Sequence, residues 1–152
     1  MKNSELIELF VALQKVEKLP GAKFAYAVAK NNALLKTEIN SINAAVSPTE
    51  EYTKYDKERV ELAKKYSKKD NNGEPVVKDN AFDIEDTASF EKDLKELQEK
   101  HKEAIDSREN QIKEFEKLLE EKNDVELFKI PYTDVPEQIT GEQLKGIFAI
   151  IS

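Results

Sequence analysis

The sequence predicts a mainly α-helical protein: a long, coiled-coil-like antiparallel helical hairpin with a small β-hairpin at its tip and short terminal elements. Three observations support this fold class. Charged residues make up 36% of the chain with both signs interleaved, which is typical of long solvated helices. Apolar residues recur at helical spacing over residues 22–69 and 87–122. Between these stretches lies a segment rich in turn-forming Asn, Gly and Pro residues.

The length of the chain bounds its domain organisation. A chain of 152 residues fits one domain, so a single domain over residues 1–152 is predicted. Only 39% of the residues are apolar. We therefore expect the core of this domain to be thin.

The first arm of the hairpin is predicted over residues 22–69, after an N-terminal helix over residues 4–18. Ser4 is the expected N-cap of that first helix. Within the arm, residues 47–50 (SPTE) have the pattern of a capping box, with a proline suited to the first helical position. The arm is therefore either one helix with a break or kink near residues 47–48, or two helices.

Residues 70–86 predict a turn and a β-hairpin. Asn72 and Gly73 form a turn dipeptide, and Pro75 lacks the backbone N–H that a helix needs. Short apolar runs on either side of residues 78–80 are typical of strands. A calcium-binding loop is the functional alternative for this acidic stretch, but its glycine comes too early for the EF-hand spacing. The hairpin interpretation is therefore preferred.

The remaining elements follow from periodicity and caps. The second arm is predicted as one long helix over residues 87–122, which carries an apolar stripe. Residues 125–131 alternate apolar and polar side chains and predict an edge strand. Thr140 begins a capping box, so a C-terminal helix is predicted over residues 140–149.

Residues that could carry catalysis are few. The chain has no cysteine and one histidine, which excludes thiolate chemistry and two-histidine metal sites. His101 lies on the apolar stripe between Leu97 and Ala104, so a carboxylate that orients it would have to come from another segment. The glycines are too scattered for a phosphate-binding loop. We expect no enzyme activity, no catalytic residues, no metal site and no cofactor.

Two groups of apolar residues are candidate partner interfaces. Tyrosines anchor many interfaces, and three of them lie on the helix before the β-hairpin, although an amphipathic helix would also turn them to its core. The end of the chain is apolar and faces either the core or a partner. The candidate interface residues are Tyr52, Tyr55, Tyr66, Phe148, Ile150 and Ile151.

The charge and hydropathy of the chain limit its partners. The formal net charge is −7, and an acidic surface disfavours direct binding of nucleic acid. No apolar run approaches the ~20 residues needed to cross a bilayer, and the N-terminus is not that of a signal peptide. We therefore expect protein partners, with homo-oligomerisation through the apolar stripes as one form of partnership.

Three segments resemble small proteins of unknown function that bacteriophages and prophages encode. The segments are residues 19–32 (LPGAKFAYAVAKNN), residues 66–77 (YSKKDNNGEPVV) and residues 139–144 (ITGEQL), the last preceded by Ile130 and Asp134. The resemblance implies a phage-encoded accessory protein in the cytoplasm of a bacterial host, or associated with the virion. It implies no functional residues.

Three functions are therefore considered. The preferred hypothesis is a non-catalytic structural, assembly or adaptor protein of a phage that acts through helical packing and binds phage structural proteins. The alternative is a host-directed inhibitor, for example of host defence, that binds a bacterial protein. A chaperone is a third possibility, because the hairpin outline resembles that of prefoldin subunits, by analogy of shape alone.

Overall fold

The computed structural model describes all residues from Met1 to Ser152, and it confirms a mainly helical fold with one small antiparallel sheet. None of the helices combines the length and the apolar content needed to cross a membrane. The elements in chain order are α1 (Asn3–Gln14), α2 (Ala22–Ala44), α3 (Glu50–Tyr66), β1 (Val77–Lys78), β2 (Ala81–Phe82), α4 (Thr87–Lys100), α5 (Lys102–Glu120) and α6 (Gly141–Gly146).

The chain groups into two compact units. Unit 1 consists of Met1–Ser47 together with Glu114–Ser152, and unit 2 consists of Pro48–Lys113. The single domain expected from the sequence stays a prediction, because two compact units can still unfold in one cooperative transition.

The core of unit 1 lies where α1 packs on α2 and on the C-terminal residues. Because the leucines of α1 recur every three or four residues, they share one face and are all buried. Burying each such side chain contributes about 1.5–3 kcal/mol to stability. The fully buried apolar side chains of this core include Leu6, Leu13, Val16, Phe24, Leu35, Ile147 and Ile150.

Helix α1 begins one residue before the predicted N-cap. Asn3 is buried, its N–H donates to the Glu121 carbonyl at 3.0 Å and its Nδ2 donates to the Leu118 carbonyl at 2.7 Å. The Lys2 N–H donates to Glu5 Oε2 at 2.7 Å. Ser4 therefore lies inside the helix, and its prediction as the N-cap is wrong, because contacts distant in sequence fix where the chain enters α1.

The first arm is two helices, α2 and α3. The cap of α3 is Thr49, whose Oγ1 accepts from the Tyr52 N–H at 3.2 Å. The expected capping box began at Ser47, but the Ser47 N–H donates to the Ala44 carbonyl at 3.3 Å just after α2, and α3 begins at Glu50. The predicted break near residues 47–48 is thus present.

Unit 2 is a helical hairpin in which α3 packs on α4, with a β-hairpin at its tip. Val77 pairs with Phe82 and Lys78 with Ala81. Between them, Asp79 and Asn80 have φ values of 51° and 63°, the left-handed conformation of the tight hairpin turn that suits right-handed strand twist. The predicted turn and β-hairpin are confirmed.

The second arm is interrupted, which corrects the prediction of one helix over residues 87–122. His101 separates α4 from α5 with φ −110° and ψ 21°. The helical hydrogen bonds continue across it, from the His101 N–H to Leu97 and from the Ile105 N–H to the His101 carbonyl, each at 3.1 Å. The interruption is therefore a local distortion.

The last two predicted elements are also shorter in the structure. Residues 125–131 form no strand, and only Ile130 makes an isolated parallel bridge, with Ile151. The predicted helix over 140–149 is α6 followed by a 3-10 turn, Phe148–Ile150. Thr140 caps α6 as expected. A partner strand is missing at residues 125–131 because a side chain takes its place, as described below.

Candidate functional site

Unit 1 carries a surface pocket of about 340 Å³, here called the aromatic pocket. It lies between the start of α2 and the extended segment that follows α5. Its walls are mainly apolar, with charged groups among them. The lining residues are Ala22, Lys23, Tyr26, Phe128, Lys129, Ile130, Pro131 and Asp134.

Two aromatic rings form one wall of this pocket. The Tyr26 and Phe128 rings meet edge to face, with centroids 5.6 Å apart and an interplanar angle of 87°. Lys30 Nζ lies 4.3 Å from the Phe128 centroid, a cation–π distance. Tyr26 is nevertheless 59% exposed, so most of its ring faces solvent. The pocket thus presents an aromatic surface that the fold itself does not fully cover.

Asn31 fixes the position of Phe128. This fully buried side chain accepts from the Phe128 N–H at 2.9 Å and donates to the Phe128 carbonyl at 2.9 Å. Its Nδ2 also donates to the Ala27 carbonyl at 3.0 Å. The amide therefore pairs with the backbone of Phe128 as a neighbouring strand would. It holds one wall of the pocket rigidly against α2.

The charges around the aromatic pocket are mostly positive, although the whole chain is acidic. Lys23 pairs with Asp134 at 3.2 Å, which neutralises the one acid that lines the pocket. Lys129 Nζ donates to the Ala149 carbonyl, and Lys30 lies over the aromatic rings. Both of these lysines are exposed. The pocket therefore combines apolar walls with ammonium groups.

Unit 2 holds a second constellation, around the histidine. Glu58 on α3 accepts from Lys100 Nζ at 2.9 Å and lies 3.2 Å from His101 Nε2. The hydrogen bond from Lys100, and then that from His101, hold the pKa of the Glu58 carboxyl below its usual value. The His101 ring stacks on Tyr55, with centroids 5.7 Å apart. The carboxylate that contacts His101 belongs to Glu58 on α3. The sequence predicted that such a carboxylate would come from another segment.

This constellation is best explained as a link between the two helices of the hairpin. The carboxylate of Glu58 is occupied by two donors from the interruption between α4 and α5. The His101 side chain is only 10% exposed. The group joins α3 to the end of α4.

Tyr66 forms a further link near the tip of the hairpin. Its hydroxyl donates to Asp93 Oδ2 at 2.6 Å, and its ring meets that of Phe90. This hydrogen bond is the main reason that the pKa of Tyr66 is raised and that of Asp93 is lowered. The Tyr66 side chain is thus engaged within the hairpin.

The six candidate interface residues from the sequence differ in how exposed they are. Tyr55 is 6% exposed and Ile150 is fully buried, so both belong to cores and their assignment to an interface is corrected. Tyr52, Tyr66 and Ile151 are half-buried, and Phe148 is 60% exposed. The tyrosines belong to unit 2 and the C-terminal residues to unit 1. Phe148 is therefore the one candidate that offers most of its ring to solvent.

Sequence reasoning did not single out Tyr26 and Phe128. One signal was present, because Tyr26 is two residues after the buried Phe24 and so projects from the opposite face of α2. An aromatic ring on a polar helix face is a feature that can mark a binding site. The approach of Phe128 to this ring had no local signal, since the two residues are far apart in the chain.

Comparison with protein-family models, with curated proteins and with solved structures found no match. The chain contains no group of three or more His, Cys, Asp or Glu residues arranged to hold a metal ion. The description of the site therefore rests on its own geometry.

Proposed function

We propose that this chain is a non-catalytic protein-interaction protein whose aromatic pocket receives an apolar side chain of a protein partner. The observation that carries the proposal is the exposed Tyr26 ring, 59% open to solvent, above a pocket of about 340 Å³. A ring-lined pocket of this kind suits a buried anchor residue, and such anchors supply much of the energy of protein interfaces.

The rigidity of the pocket supports this function. Asn31 hydrogen-bonds both backbone groups of Phe128, and Tyr26 lies on a helix. A preformed pocket loses little conformational entropy when a partner binds.

Within this class we favour a structural, assembly or adaptor protein of a bacteriophage that binds a phage structural protein. The support is the resemblance of residues 19–32, which include Tyr26, to phage-encoded proteins. A host-directed inhibitor would use the same pocket on a bacterial protein. The identity of the partner distinguishes the two functions.

Co-purification tests the proposal. Tagged wild-type protein and the Tyr26→Ala variant are recovered from infected and uninfected bacterial cells, and the bound proteins are identified by mass spectrometry. We expect a partner whose recovery falls at least about tenfold with Tyr26→Ala, because the variant removes a ring from the wall that contacts the partner's anchor side chain, and such central contacts contribute about 2 kcal/mol or more. A phage structural protein, found on infection only, supports the assembly role. A host protein found in both samples supports the inhibitor.

Phe148→Ala is the matched control, because Phe148 is as exposed as Tyr26 but does not line the pocket. Both variants must retain the wild-type circular dichroism spectrum and unfolding midpoint. A partner lost with Phe148→Ala and kept with Tyr26→Ala would place binding at the C-terminal residues and contradict the role of the aromatic pocket.

A further inference from the structure

The extended segment that lines the aromatic pocket has one paired edge. The Phe128 N–H and carbonyl both bond to Asn31, and the Ile130 N–H donates to the Ile150 carbonyl at 2.9 Å. The Ile130 carbonyl accepts from the Ser152 N–H at 2.8 Å. Two residues that are two positions apart thus direct their backbone groups to the same side, which is the pattern of a β-strand.

The opposite edge of the same segment is open. In a strand, the residues between the paired ones direct their N–H and carbonyl groups to the other edge. Here these residues are Leu127 and Lys129, and none of their backbone groups has a hydrogen-bond partner in the chain. Lys129 is exposed and Leu127 is half-buried. The segment is extended backbone with one edge unpartnered.

We propose that a partner binds here as an added β-strand: an extended, acidic peptide segment pairs with Leu127 and Lys129 and inserts one apolar side chain into the aromatic pocket. This inference rests on the proposed function and names the chemistry of its partner. Unpaired strand edges are templates for such pairing, in which main-chain bonds give affinity and adjacent pockets give specificity.

The charges at the site select an acidic partner. Lys30 and Lys129 are exposed beside the pocket, and the carboxylate of Asp134 is taken by Lys23. Glu126 is the one exposed acid on residues 125–129. A carboxylate on the incoming strand opposite Lys129 would pair with it, as oppositely charged side chains do on neighbouring strands, and Lys30 on α2 adds positive charge nearby.

The apolar anchor follows from the position of the pocket. Phe128, Lys129, Ile130 and Pro131 line it, so the pocket lies beside the extended segment, and Lys129 belongs both to its lining and to the open edge. A volume of about 340 Å³ accepts one large side chain. Because side chains alternate along a strand, one residue of the partner can enter the pocket while its neighbours lie on the other face, beside Lys129.

The test uses a synthetic eight-residue peptide with one central Phe flanked by alternating Thr and Glu, measured by fluorescence anisotropy. Two further peptides carry N-methyl groups, one on the even-numbered and one on the odd-numbered backbone amides. Only alternate amides of an added strand face the protein. We expect one methylated peptide to bind at least about tenfold more weakly and the other to bind like the parent. Equal effects of the two methylation patterns would overturn the proposal.

Two controls test the chemistry of the partner. A peptide with Lys in place of Glu is expected to bind at least about tenfold more weakly than the acidic parent, and higher salt is expected to weaken the parent. Amide hydrogen exchange followed by NMR is expected to show new protection at Leu127 and Lys129 in the complex. Binding without that protection, or binding that is indifferent to peptide charge, would overturn the inference.

The failure of this inference can be told apart from failure of the proposed function. If none of the peptides binds while Tyr26→Ala still abolishes capture of a cellular partner, the strand-addition proposal is wrong and the interaction protein stands. Sedimentation of the protein alone tests whether a second copy of the chain binds this edge. Self-association that protects the Leu127 and Lys129 amides would assign the edge to a second copy and overturn the acidic-peptide proposal.

Discussion

At the scale of single residues, Asn31 has the largest share in shaping the site. It is a buried polar side chain whose three hydrogen bonds all go to backbone groups, two of them on Phe128. A buried polar group that loses its hydrogen-bond partner destabilises the fold, so Asn31 and the backbone of Phe128 depend on each other. One amide thereby replaces the partner strand that the alternation over residues 125–131 predicted.

We expect Asn31→Ala to destabilise the protein by about 2–4 kcal/mol, because it leaves the N–H and carbonyl of Phe128 without partners. The matched control is Asn32→Ala on the same helix, since the buried Oδ1 of Asn32 has no hydrogen-bond partner. Urea unfolding measures both variants. Equal losses of stability in the two variants would show that the hydrogen bonds from Asn31 to Phe128 do not stabilise the fold.

Residue-scale electrostatics predict how the hairpin of unit 2 responds to pH. The pKa values of Glu58 and Asp93 are lowered from 4.5 and 3.8. In acid the unfolded chain therefore takes up protons before the folded chain does, and the stabilisation falls as pH drops below these values. The pKa of Tyr66 is raised from 10.0, so its contribution is present below pH 10 and is lost as pH rises through the higher, folded-state value.

Tyr66→Phe tests this pH dependence, because it removes the hydrogen bond that lowers the pKa of Asp93 while it keeps the ring against Phe90. We expect the variant to lose less stability than the wild type in acid and also in alkali. The measurement is the urea midpoint at several pH values. Identical pH profiles for the two proteins would contradict the link between Tyr66 and Asp93.

At the scale of elements, the local sequence predicts some caps and turns, whereas other helix boundaries depend on contacts distant in the chain. Thr140 caps α6 and the Asp79-Asn80 turn closes the β-hairpin, and both are features that the local sequence predicts. The interruption at His101 has no local breaker residue, and it coincides with the bonds of Lys100 and His101 to Glu58 on another helix. Such boundaries depend on tertiary contacts, so periodicity along one helix could not predict them.

The packing of α6 on α1 gives an element-scale prediction. A Cβ atom on Gly146 would lie 2.9 Å from the Ala12 Cβ. We expect Gly146→Ala to destabilise the protein by about 1–3 kcal/mol, because the two elements would have to move apart. Gly141→Ala is the control, since a Cβ there meets nothing within 4 Å. Thermal unfolding compares the two, and an unchanged midpoint for Gly146→Ala would contradict the close packing.

At the scale of the whole molecule, composition and apolar periodicity correctly predict a mainly helical chain, and the turn residues and short apolar runs of residues 70–86 predict its small sheet. The same pattern did not reveal the aromatic pocket, because Tyr26 and Phe128 approach each other only after α2 and the segment beyond α5 have packed together. Apolar periodicity marks what a fold buries. An interface formed by residues that the fold leaves exposed has no such period, so the candidate residues chosen from the sequence included core residues such as Tyr55 and Ile150.

The central claim is that a protein partner contacts the aromatic pocket. The most direct measurement replaces Tyr26 with photoreactive benzoylphenylalanine and irradiates cells that contain the protein, with the same replacement at Val77, which is 60% exposed in unit 2, as control. We expect a covalent adduct with one protein from position 26 and none from position 77. No adduct at position 26, with an adduct at position 77, would contradict the claim.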